Sequence, residues 1–95
     1  MELNDKIEKI KKAVLEVFNI SESEMKSCSR DEKLAQARMI YAFQAAKSGC
    51  SVMRIAENLD RGRGTILHYL NQYNDEFSGN YEFKIYTNKV NEKLL

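Results

Sequence analysis

Between Leu34 and Ala46, ten of thirteen residues are apolar: Leu34, Ala35, Ala37, Met39, Ile40, Tyr41, Ala42, Phe43, Ala45 and Ala46. At helical spacing they cover most of the circumference instead of one stripe, and a helix apolar nearly all round has to be wrapped by other elements. Half of them are alanine, which lets the wrapping helices approach closely. The segment predicts a central buried helix.

The remainder reads as the shell of that helix. There is no proline, only four glycines, and no alternation of the kind strands require, so an all-α fold of about six helices in a single domain, residues 1–95, is expected. Ile7, Ile10, Val14, Val17 and Phe18 mark a first helix from about Asn4 to Phe18. Ser21 with Glu24 forms a capping box for a short helical turn. Ser29 with Glu32 repeats the pattern ahead of the central helix, which should run to about Ser48 and stop at Gly49. Ser51 caps a short helix whose Val52, Ile55, Ala56 and Leu59 face inward. Beyond the turn "DRGR", Ile66, Leu70, Tyr73 and Phe77 mark a longer helix ended by Ser78 and Gly79. Phe83, Tyr86 and Val90 mark the last one.

No apolar run approaches the ~20 residues needed to span a bilayer. The opening "MELNDKIEKIKK" is polar and amphipathic, unlike a signal peptide. These features predict a cytoplasmic chain without membrane contact. Cys28 and Cys50 lie far apart and lack metal or redox spacing, so they read as plain thiols. No metal, cofactor or catalytic residue is expected. The single histidine, His68, has no matched nucleophile, and Asp31–Glu32 and Asp75–Glu76 are adjacent pairs that point to different helix faces.

Net charge is only +1, but its distribution is uneven. From Lys26 to Tyr73 there are eight basic and four acidic residues, a local +4, whereas the two ends together hold seven basic and ten acidic, or −3. All five arginines, Arg30, Arg38, Arg54, Arg61 and Arg63, lie in the middle segment. The planar guanidinium fork suits phosphates and base edges. A surface for an anionic partner is therefore expected there.

A short helix, a tight glycine-containing turn and a second helix make a helix-turn-helix. Ala56 is small where the helices must cross, and Leu59 and Ile66 can meet beneath the turn. The second helix opens with Arg61, Gly62, Arg63, Gly64 and Thr65, at an end whose free N–H groups favour phosphate. His68 lies one turn further on and faces either the same groove or the core. Lys47 and Ser51 could hold a phosphate at the start of the first helix of the pair, and Arg54 either extends this face or solvates its helix.

The segments "ARMIYAF" (Ala37–Phe43), "IAENLDRGRGTILHYL" (Ile55–Leu70) and "MKSCSRDEKLAQAR" before them resemble the C-terminal DNA-binding domain of the bacterial replication initiator DnaA. The tail is similar to the short phage or mobile-element members of that family. This resemblance implies a Trp-repressor-like helix-turn-helix that binds double-stranded DNA as a monomer, in replication initiation or its control. It implies that Arg38 contacts DNA from the central helix and that Arg30 reaches a minor groove from the preceding loop. Arg61, Gly62, Arg63, Gly64 and Thr65 would occupy the base-reading region, with Ile66 and Leu67 mainly packing and His68 following them. The family's acidic–histidine pair is absent, "DRGRG" is one residue short, and Met39 replaces a polar residue, all of which point away from the initiator's own sites. No GxxxxGK[ST] occurs, so ATP-driven origin melting is not expected of this chain. A second reading keeps the fold but gives it a protein partner, such as a replication protein, through the aromatic tail Tyr69, Tyr73, Phe77, Tyr81, Phe83 and Tyr86.

Overall fold

The computed structural model describes residues 2–27 and 31–95. Six helices follow one another: α1 (Leu3–Phe18), α2 (Glu22–Lys26), α3 (Glu32–Lys47), α4 (Val52–Leu59), α5 (Arg63–Gly79) and α6 (Tyr81–Leu94), with no strand among the described residues. The all-α expectation holds. None of these helices is long and apolar enough to cross a membrane.

α3 is the central element, packed against α1, α2, α4 and α5, while α6 closes the structure against α1 and α5. Ala37, Ala42 and Ala45 are fully buried on it, as the close approach of several helices requires. Val14 and Phe18 from α1, Ile55 and Leu59 from α4, Ile66 from α5, and Phe83 and Val90 from α6 complete the core. Phe43 and Tyr73 stack with ring centroids 3.7 Å apart, and Phe83 meets Tyr73 edge-on at 5.5 Å. Such pairing joins α3, α5 and α6 through large apolar surfaces.

Local chemistry sets the helix ends. The Ser21–Glu24 capping box is present, with both hydrogen bonds at 3.0 Å. Gly49 stops α3 at φ 104°, and the Cys50 N–H bonds back to the Ala45 carbonyl at 3.0 Å. Burial of Cys50 pushes its thiol pKa up. One boundary differs from expectation. α3 begins after Asp31, whose carboxylate accepts from the Lys33 and Leu34 N–H groups at 2.9 and 3.4 Å; Cys28, Ser29 and Arg30 lie outside the described residues. α5 ends at Ser78 and Gly79 as expected, and Asn80 beyond them caps α6 by accepting from the Phe83 N–H at 3.1 Å.

Candidate nucleic-acid interface

The turn between α4 and α5 is built by aspartate. Asp60 takes the left-handed conformation at φ 54°, and the Arg61 N–H closes onto the Ala56 carbonyl at 2.9 Å. Gly62 has φ −75°, which any residue adopts, and a Cβ there would meet nothing within 4 Å. The sequence pointed to glycine as the turn-former; the structure gives that task to Asp60, whose short side chain tolerates this region. Ile55, Ala56 and Leu59 bury α4, and Ile66 buries α5 beneath the turn, as expected. Val52 is only half-buried. Asn58 ties α4 to α3 by donating to the Tyr41 hydroxyl at 3.1 Å. Burial raises the Tyr41 pKa, against the opposing pull of that hydrogen bond.

The arginines divide into two groups. Arg38 is 3% exposed. Its Nε donates to the Met25 carbonyl at 2.7 Å and its Nη2 to the Ser27 carbonyl at 2.8 Å. Arg61 reaches the same place from the turn: Nη2 donates to the Ser27 carbonyl, and Nη1 to the carbonyls of Lys26 at 3.3 Å and Asp60 at 3.1 Å. The last carbonyls of a helix have no partners within it, and at the end of α2 two guanidinium groups supply them. Arg54 is directed to α1, where Nη2 donates to the Asn4 side-chain oxygen.

Arg63 points the other way. It is exposed, and makes no hydrogen bond or ion pair among the described residues. Beside this guanidinium α5 carries no side-chain cap at Gly62, whose carbonyl accepts from the Thr65 and Ile66 N–H groups at 3.1 and 3.3 Å. Gly64 follows in the helix, and a Cβ there would also meet nothing within 4 Å. His68 is exposed, which resolves its direction away from the core. Gly64, Leu67, His68 and Asn71 form one exposed strip, with Arg63 along its edge and Thr65 half-buried. A shallow groove bounded by Met53, Glu57, Asp60, Arg61, Gly62 and Arg63 runs beside the turn.

Lys47 and Ser51 stand at the α3–α4 turn. Both are exposed, and the Ser51 hydroxyl caps α4 by accepting from the Arg54 N–H at 3.2 Å. Lys47 shares a groove with Lys6, Lys9 and Ser48, separate from the groove that Arg63 lines. An anionic-partner surface built from the clustered arginines would bring them onto one outward ridge, and among the described residues they do not converge: Arg38 is internal, Arg61 is largely engaged by carbonyls, Arg54 is directed to α1, and Arg63 is outward. Leu67, expected to pack, is 49% exposed.

A family model described as the bacterial DnaA protein helix-turn-helix matches residues 7–72. The chain belongs to that family. No curated protein and no solved structure matches it. The DnaA match spans α1 to α4 and the first turns of α5, and stops before α6. It therefore includes α4, the turn and the first ten residues of α5, and makes this a DNA-binding helix-turn-helix of the DnaA type.

Proposed function

We propose that this DnaA-type domain binds double-stranded DNA with sequence preference, as a monomer, in replication initiation or its control, including that of phage or mobile elements. The observation that carries the reading is the outer surface of α5's first turns. Arg63 and an uncapped helix end stand beside Gly62 and Gly64, two glycines that no internal contact requires. Gly62 is the N-cap, but Gly64 lies inside the helix, where glycine costs roughly 0.5–1 kcal/mol relative to alanine. A duplex backbone or base edge approaching this end gives the missing side chains a purpose.

On this reading Arg63, the α5 N–H groups, Gly62, Gly64, Thr65 and His68 face the major groove or its flanking phosphates. Arg30 supplies the neighbouring contact that the resemblance implied, and Lys47 with Ser51 supplies a phosphate contact at the start of α4. Arg38 and Arg61 act from inside: they fix the end of α2 against the turn. The protein-partner reading loses most of its support, because Tyr69, Tyr73 and Phe83 are buried and Phe77 and Tyr86 are half-buried; Tyr81 is left at 79% exposure.

The test is selection of bound oligonucleotides from a random pool, followed by affinity against salt. Four phosphate-neutralising arginines would give a log–log slope of about −3 to −4. With Arg38 and Arg61 engaged internally, a shallower slope of about −2 to −3 is expected, together with an enriched sequence. A slope near zero with no enriched sequence overturns the reading.

A further inference from the structure

We infer that Leu67 is a specificity-determining residue that reads the C5 methyl group of a thymine in the major groove; this rests on the DNA-binding reading above. Leu67 is the apolar member of an otherwise polar strip, with Gly64 three residues before it and His68 and Asn71 after it, all exposed. The buried side of α5 is supplied by Ile66, Tyr69 and Tyr73, so Leu67 is not needed for the core.

A single exposed leucine is ordinary on a protein surface. Its setting on this helix is what gives it a partner. Side chains on a helix lean back over the preceding turn, and the preceding turn here holds Gly64, which has no side chain, and Arg63 at the edge. A Cβ at Gly64 would meet nothing within 4 Å, so the turn before Leu67 supplies no side chain to cover it and leaves open space on this face. Among the groups that base pairs present in the major groove, the thymine methyl is the apolar one. Arg63 and Leu67 are four residues apart, about 6 Å along the helix. Two base steps span roughly the same length. The thymine should therefore lie within one or two base pairs of the base or phosphate that Arg63 contacts.

The experiment replaces each thymine of the selected site, one at a time, by deoxyuracil, which removes the methyl group and leaves the hydrogen-bonding edge intact. Wild-type protein is expected to lose roughly fourfold in affinity at one position, the scale of one buried methyl group. Leu67→Ala is expected to bind thymine and deoxyuracil equally at that position, with an unchanged salt slope and an unchanged melting temperature. Wild-type indifference to every deoxyuracil overturns the inference while leaving DNA binding intact. So does full discrimination retained by Leu67→Ala, which would assign the methyl to another side chain. A flat salt dependence with no selected site overturns the inference and the DNA-binding reading together.

Discussion

The C-terminal end of α2 and the N-terminal end of α5 are both helix ends with backbone groups that the helix itself cannot satisfy, and the molecule treats them in opposite ways. At α2 the carbonyls of Met25, Lys26 and Ser27 receive two guanidinium groups, and the Ser27 hydroxyl donates to the Glu24 carbonyl at 2.6 Å. At α5 there is no side-chain cap, and the adjacent guanidinium of Arg63 is left outward. Arg61 and Arg63, two residues apart, belong to different halves of this contrast. One end is closed by the chain, and the other carries no side-chain cap beside an outward guanidinium, which is where we propose that DNA binds. A basic residue near a helix end thus turns inward or outward according to which backbone groups lie within its reach.

The largest effect expected from breaking this contrast is at Arg38. Arg38→Met leaves buried carbonyls without donors, and should cost roughly 2–4 kcal/mol and lower the melting temperature by more than about 10 °C. Thermal denaturation checks it; an unchanged melting temperature with lost DNA binding would return Arg38 to the DNA surface. Arg61→Ala should cost about 1–2 kcal/mol of stability, since its carbonyl partners are partly solvated.

Gly64→Ala sharpens the contrast because its two effects have opposite signs. Alanine fits the open space in this helix and should stabilise the fold by about 0.5–1 kcal/mol, read from urea denaturation. The same methyl group at the end proposed to face DNA should weaken binding to the selected site. Stabilisation with unimpaired binding would show that the duplex does not come close to this turn.

The smallest effect lies on the remote side of α2. Hydrogen bonds from Lys26 and Lys11, with the positive charge of Lys11, hold the Glu22 carboxyl below its ordinary pKa. A lowered carboxyl stabilises the fold above the usual carboxylate range, and the contribution disappears as pH falls through the lowered value. Glu22 and Lys26 are about half exposed, so Glu22→Gln should cost less than about 1 kcal/mol at neutral pH. The difference between variant and wild type should close on acidification, as pH-dependent melting would show.

Much of the framework was readable before the structure. The ring of apolar residues in α3, the Ser21 and Ser51 caps and the Gly49 stop each follow from a local rule, and each is present. The direction of Arg38 was also available. It stands four residues after Leu34 and three and four before Tyr41 and Ala42, all buried, so helical spacing alone places it inside. Its basic character drew it to the surface instead. What no periodicity contains is the supply of acceptors: the carbonyls at the end of α2 come near Arg38 and Arg61 only when three separated segments pack together. The turn held by Asp60 was hidden for a related reason, since two glycines nearby offered a simpler explanation. Leu67 was grouped with Ile66 as packing, although the buried sequence Ile66, Tyr69, Tyr73 leaves it on the outer side.

The central claim is that the open end of α5 meets DNA while the closed end of α2 serves the fold. It is tested most directly by the salt dependence of DNA affinity for wild type, Arg61→Ala and Arg63→Ala, measured side by side. Arg63→Ala is predicted to make the log–log slope shallower by about one unit, or to lose about 1–3 kcal/mol on the selected site alone, with stability unchanged. Arg61→Ala is predicted to keep the wild-type slope and to lose stability. A slope that falls for Arg61→Ala, with Arg63→Ala indistinguishable from wild type on every DNA, would contradict the account.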